Sequence, residues 1–160
     1  MAELTQETVV EIMRSERFVM MTSVSQEDGR LHSHPMKPQR VTDHAEAWFF
    51  IGLESCQAED IGKNPEVNLS FAEAGSWLSV SGRVRFENAN RAMIDELWND
   101  SVAAWFEGGK EDPNLGLMRF VGDSARLWGR PGSKVASLTQ IAKSKLEDRV
   151  PDAEAGAAGR

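Results

Sequence analysis

Three histidines, one cysteine and five tryptophans are the side chains of this 160-residue chain that most readily suggest chemistry. His32 and His34 stand one residue apart, so a strand through them puts both imidazoles on one face, as metal ligands require. A metal needs a third or fourth ligand, and only His44, Cys56 or an ordinary carboxylate is on offer. A structural metal is therefore not expected. Cys56 has no basic neighbour in sequence to lower its pKa, and it reads as an inert thiol. Five Trp and seven Phe stand against no Tyr. Trp48, Trp98 and Trp105 read as core. Trp77 and Trp128 lie at strand ends beside Gly and polar residues, where an indole can stack on a flat ligand while its N–H finds a partner. Arg130-Pro131-Gly132-Ser133-Lys134 joins two cations to the start of a helix, which would suit an anion; Ser133 as a plain N-cap is the simpler reading. The chain carries no Gly-x-Ser-x-Gly elbow, no Walker-type phosphate loop, no Gly-x-Gly-x-x-Gly and no Cys-x-x-Cys. Its carboxylates are scattered along polar faces, with no pair in an apolar setting.

The elements that must position these residues follow from periodicity. Thr5 can cap a helix whose Val9, Ile12 and Met13 form an apolar stripe. Phe18 to Val24 reads as a buried strand, Glu27-Asp28-Gly29 as a turn, and Leu31 to Val41 as the returning strand. Pro35 and Pro38 lack ladder donors, so this second strand is an edge, bulged or interrupted. Trp48 to Ile51 forms the next strand, and Ser55 caps a short helix through Ile61, stopped by Asn64-Pro65. Val67, Leu69 and Phe71 alternate with polar residues, as a half-buried strand does. The strand from Trp77 reaches Phe86 across a bulge or bend at Gly82. A long helix is expected from Asn88 or Asn90 to Phe106, on the spacing of Met93, Ile94, Leu97, Trp98, Val102 and Trp105. Leu117–Val121 and Ala125–Trp128 are read as a last hairpin across Gly122-Asp123. A final amphipathic helix begins at Ser133. About seven strands joined by tight turns favour a closed or half-closed antiparallel barrel with helices outside, which binds ligands at its mouth or at a dimer seam.

The composition bounds the function. The length fits one domain, expected over residues 1–147, with a disordered tail at 148–160. A chain of this size buries roughly 68–70% of its unfolded surface and needs no disulfide or metal staple. The single Cys56 excludes an intrachain disulfide. Lys+Arg 18 against Asp+Glu 25 gives a net charge of −7, a poor balance for nucleic acid, and none is expected as a partner. No apolar run approaches the ~18 residues that would span a membrane. Glu3, Glu7, Glu11 and Glu16 oppose a signal peptide, so a cytoplasmic location is expected.

Taken in order, several segments resemble one family. They are Ser33-His34-Pro35-Met36-x-Pro38-Gln39, Trp48-Phe49-Phe50, Ser55, Asn64-Pro65-x-Val67 and Trp77-Leu78-Ser79-Val80-Ser81-Gly82. Glu96-Leu97-Trp98-Asn99, Ala104-Trp105-Phe106, Gly108-Gly109, Asp112-Pro113-x-Leu115, and Trp128 with Pro131-Gly132-Ser133 follow. The series, from about residue 5 to residue 145, resembles the general-stress-protein branch of the pyridoxamine 5′-phosphate oxidase-like, flavin-binding split-barrel superfamily. The resemblance implies a mainly β, six-stranded antiparallel split barrel with flanking helices. It also implies a homodimer that holds flavin mononucleotide (FMN), and any small-molecule substrate, in clefts between subunits. The excess of Trp and Phe for one small barrel agrees with a dimer.

Carried over residue by residue, the resemblance places the cofactor against His34, Pro35, Met36, Phe50, Ile51, Ser55, Cys56, Gln57, Trp77 and Trp128. The sequence departs from the family pattern in three of these positions. His34 stands for an Arg, Gln57 for a Lys and Ile51 for a Thr, and all three changes weaken a phosphate site. Lys37, Arg40 and Lys63 are nearby cations that could stand in. Vitamin B6 oxidation is not expected, because no Arg-and-His pair for a substrate phosphate is found near the C-terminus. Three readings stay open: a flavin-dependent oxidoreductase of unknown substrate, with no catalytic residue assigned; a non-catalytic binding module of the same fold that holds a different ligand in a weakened or lost flavin site; or an apo dimer of that fold whose cleft is empty.

Overall fold

In the computed structural model, residues 4–15, 17–73, 76–129 and 142–145 are described. The chain opens with α1 (Gln6–Ser15), whose first turn is closed by Thr5 accepting from the Thr8 N–H at 3.2 Å. Val9, Val10, Ile12 and Met13 are buried along one stripe of this helix. Next come β1 (Val19–Val24), β2 (Leu31–Met36), β3 (Arg40–Val41) and β4 (Glu46–Gly52). After α2 (Cys56–Lys63) the chain forms β5 (Glu66–Glu73) and β6 (Ser76–Phe86). Two short helices, α3 (Arg91–Leu97) and α4 (Asp100–Ala103), lead through a 3-10 turn at Gly109–Glu111 to β7 (Leu115–Gly129) and β8 (Ala142–Lys145).

The strands form one antiparallel sheet in the order β2-β1-β5-β6-β7-β4-β3, with β8 added to β7. This mainly β arrangement with a few helices is consistent with a split barrel. The sheet is not closed, however: β2 and β3 end its two sides without pairing to each other. They are nonetheless consecutive in the chain, joined through Lys37-Pro38-Gln39. Proline removes a ladder donor at that point, and the strand expected over 31–41 accordingly divides between two neighbours. Its first half pairs with β1, and its second half pairs with β4, led in by Gln39 N–H to Trp48 O at 2.7 Å. The seam of the sheet therefore lies at Met36–Arg40.

Two apolar clusters sit on opposite faces of β4 and β7. Phe49, Ile51, Met118 and Phe120 face the main core, with Met21, Leu69, Phe71, Leu78 and α1. Trp48, Leu115 and Leu117 face a second cluster, built with Ile94, Leu97, Val102 and Phe106 from α3, α4 and the turn beyond. Burial on both faces explains why β4 reads as an unbroken apolar run. Where β4, β7 and the end of β6 meet, Arg119 donates to Glu46 through Nε at 3.1 Å and through Nη2, and to Glu87 through Nη1 at 3.4 Å. All three side chains are buried, and the Arg119 guanidinium lies 5.7 Å from the centroid of the Trp48 ring. Burial works against its charge. The two carboxylates outweigh burial and raise its pKa above the usual arginine value.

Four sequence expectations are corrected. The hairpin expected across Gly122-Asp123 is a single strand, β7, which pairs with β6 along its whole length. Ser81 faces Ser124 and Gly82 faces Gly122, leaving Asp123 as the extra residue of a bulge. A Cβ on Gly82 would meet Val121 O at 2.2 Å, so the chain that reads locally as a turn is instead held by close backbone contact. The long helix over 90–106 is two helices. Trp98 is extended, and Asn99 restarts the helix by accepting from the Val102 N–H at 3.0 Å. The restart shifts the helical phase, so Phe106 is buried while Trp105, expected in the core, is 82% exposed. Residues 142–145, expected within a final helix, form β8. The start of that helix at Ser133, the Arg130–Lys134 segment and the tail at 148–160 lie outside the described residues.

Candidate functional site: a cleft at the seam of the sheet

The seam opens into a cleft of ≈650 Å³, within the roughly 300–1,000 Å³ of small-molecule sites. His34, Pro35 and Met36 from β2 form one wall, and Phe50 and Ile51 from β4 form another. Ser55 and Gln57, at the start of α2, close one end. Seven of the ten residues expected at the site thus meet in one place. Cys56 is exposed and does not line the cleft. Neither do Trp77 and Trp128, which face each other across β6 and β7. Trp77 is half exposed there, and Trp128 borders a small serine-lined hollow with Ser79, Ser81, Ser124 and Arg126.

Local chemistry holds the cleft walls. Ser55 accepts from the Ala58 N–H at 3.2 Å as the N-cap of α2 and donates to Gly52 O at 2.7 Å. Those bonds tie the helix start to the end of β4. Asn114 accepts from Leu53 N–H through its carbonyl and from Glu54 N–H through Oδ1, both at 2.8 Å, fixing the intervening turn. Across the cleft, Asn99 Nδ2 donates to Gln39 Oε1 at 3.0 Å and so links α4 to the seam.

Sequence reasoning missed several lining residues. Phe18 precedes β1 and is 56% exposed. Ser101, Val102, Trp105 and Phe106 come from α4 and the turn after it. They lie more than forty residues from Ser55 along the chain, and no local signal connects the two stretches. Gln39, inside the same Pro-containing segment as His34, was within reach, and Lys37, expected as a stand-in cation, does line the cleft.

His34 is the central polar group. Burial lowers its pKa from the usual histidine value, which favours the neutral imidazole. Its Nε2 is buried and has no hydrogen-bond partner among the described residues. A buried polar atom without a partner beside a cavity is an unmet demand that a ligand can satisfy. The other histidine of the pair, His32, is exposed, and Asp28 approaches it only to 3.9 Å. No group of three or more His, Cys, Asp or Glu among the described residues could hold a metal, and no helix among them is long and apolar enough to cross a membrane.

The donor set suits a flat ring. The aromatic and aliphatic walls match apolar faces, and the His34 imidazole, the Gln57 amide and the Asn114 Nδ2 offer polar contacts at an edge. It suits a phosphate less well. Lys37 is the one cation lining the cleft among the described residues. Arg40 and Lys63, the other nearby cations, are paired with Glu96 and Glu59.

The chain was compared with known proteins. No curated protein matches it. Among solved structures, a general stress FMN/FAD binding protein from the phytopathogen Xanthomonas citri is 37% identical, with a TM-score of 0.67, over 80% of this chain and 90% of that one. A general stress family protein from Xanthomonas campestris pv. campestris is 34% identical, with a TM-score of 0.67, over 80% and 88%. A Clostridium acetobutylicum protein related to general stress protein 26 of Bacillus subtilis has a TM-score of 0.70 at 18% identity, over 89% and 96%, a likeness of fold. The model of the family described as pyridoxamine 5′-phosphate oxidase like matches residues 5–152, and the chain belongs to that family.

Proposed function

We propose that this protein is a cytoplasmic, homodimeric flavoprotein that holds FMN in the seam cleft and serves as an oxidoreductase toward a small molecule. The observation that carries the reading is the convergence of His34, Pro35, Met36, Phe50, Ile51, Ser55 and Gln57 on one cleft, with a buried His34 Nε2 in its wall that has no partner among the described residues. The 37% identity to a protein named as FMN/FAD binding supports it. In this reading Phe50 and Ile51 flank the ring, the His34 imidazole and the Gln57 amide meet its polar edge, and Lys37 meets the phosphate. Bound flavin supplies the redox chemistry, and the chain supplies position, polarity and exclusion of water. No residue is assigned a proton-transfer role.

The second copy has a place to act. Trp77 and Trp128 stand outside the cleft of their own chain, on a sheet face that also carries Ser70, Ser79, Ser81 and Arg126. In the dimer of this reading that face packs against a copy of itself, and an obligate pair of this kind buries more than ~2,000 Å². Phe18, Met20, Leu31, Trp77 and Trp105 are exposed on one chain, apolar surface that a second copy would cover in part.

Purification tests both parts. The protein is expected to carry a yellow chromophore that acid releases and chromatography identifies as FMN, and light scattering is expected to give twice the chain mass at micromolar concentration. A colourless protein that ignores added FMN contradicts the flavin assignment. A monomer contradicts the dimer.

A further inference from the structure

The cleft is lopsided in its chemistry. Its walls are apolar, with Phe18, Phe50, Ile51, Val102, Trp105 and Phe106 among them. Its polar groups are mostly occupied by the protein. Ser55 donates its one proton to Gly52 O and accepts from the Ala58 N–H as the α2 cap. The Gln39 amide accepts from Asn99 and lies 3.4 Å from Lys37 O, and Asn114 holds the turn at Leu53 and Glu54. Among the described side chains, what remains for an anion is the Lys37 ammonium, the Gln57 amide, the Asn114 Nδ2 and the Ser101 hydroxyl. His34 adds no charge near neutral pH, because burial disfavours its imidazolium.

A phosphate monoester carries a charge of about −1.5 to −2 at neutral pH and presents three acceptor oxygens. One ammonium and three neutral donors return little of the hydration such a group gives up on binding. A ring with two apolar faces loses no comparable hydration, and it gains the full burial of those faces. On a chain of net charge −7, the general field also opposes a dianion.

We infer that this cleft recognises its ligand through the flat ring and not through a terminal phosphate, so that it takes the phosphate-free flavin, riboflavin, nearly as well as FMN. The inference rests on the flavin reading above and specifies which part of the flavin carries the affinity. The single substitution that would change this preference is His34→Arg, which places a permanent, planar, bidentate cation in the β2 wall beside Lys37.

The test is a pair of titrations on the full chain, dialysed free of flavin, with riboflavin and with FMN. Quenching of flavin fluorescence gives each dissociation constant at low and at high salt. The expected result is a ratio of the two constants below tenfold at both salt concentrations. In His34→Arg the ratio is expected to open beyond tenfold in favour of FMN at low salt and to narrow at high salt. FMN binding more than tenfold tighter than riboflavin in the unmodified chain overturns the inference while leaving the flavin reading intact. A ratio that stays closed in His34→Arg, with circular dichroism unchanged, also overturns it, because the phosphate then does not face β2. Failure of both flavins to bind removes the flavin reading itself, and this inference with it.

Discussion

Arg119 is enclosed by Glu46, Glu87 and the Trp48 ring, and the stability of the junction of β4, β6 and β7 depends on that enclosure. Two buried carboxylates with no guanidinium between them would be uncompensated charge. Arg119→Met is therefore expected to cost about 3–5 kcal/mol in urea unfolding. Adding Glu46→Gln and Glu87→Gln to it is expected to recover much of the loss, and a single mutant as stable as the unmodified chain would contradict the assignment. His34 behaves differently: it is half-buried, and its buried Nε2 has no partner among the described residues. Its folded-state pKa lies below the unfolded value of ~6.5, so the folded chain binds fewer protons than the unfolded chain in that region. The stability it contributes is complete above ~6.5 and is lost as pH falls through that value toward the depressed one. Urea midpoints measured from pH 8 to pH 5 should fall more steeply in the unmodified chain than in His34→Gln; parallel profiles would exclude His34 as the source. The sequence marked His34 by its neighbours Pro35 and Met36, yet its neutral state depends on burial by distant residues and could not be read from the chain.

At the scale of elements, local signals were legible and long-range compensations were not. Ser55 before α2, the turn between β1 and β2, and the unbroken apolar run of β4 are each decided within a few residues, and all formed as expected. Gly122-Asp123 also looks like a local signal. Its meaning is set by Gly82 on the neighbouring strand, whose missing Cβ lets Val121 O approach closely and turns a would-be hairpin into a bulge. Gly82→Ala is accordingly expected to destabilise the fold by at least about 1–3 kcal/mol, because backbone rather than a flexible side chain must yield. An unchanged melting temperature would show that β6 and β7 do not approach as described. The break at Trp98-Asn99 follows the same rule. Apolar spacing continues through it, but the Asn99 side chain competes for the backbone and restarts the helix. That restart carries Trp105 out to the lip of the cleft, where periodicity alone would have buried it.

For the whole molecule, the seam is the feature that joins fold to function. One chain segment, 31–41, supplies both outer strands of the sheet, and the proline-containing link between them leaves an opening lined from both sides. The antiparallel, mainly β character was legible from alternating strands and the turns between them, whereas the order of the eight strands and the open seam were not. The cleft was legible only in half, since α4 and the Trp105 turn reach it from far along the chain. Ser101 stands on the exposed side of α4 and lines the cleft, so a large side chain there fills the opening while leaving both apolar clusters intact. The most direct measurement is a titration of flavin-free protein with FMN, followed by the visible flavin spectrum, for the unmodified chain and for Ser101→Trp. The account predicts saturation at one flavin per chain in the unmodified protein. It predicts at least tenfold weaker binding in Ser101→Trp, with an unchanged circular dichroism spectrum. No spectral change in the unmodified protein, or equal binding by both, would contradict the placement of a flavin in this cleft.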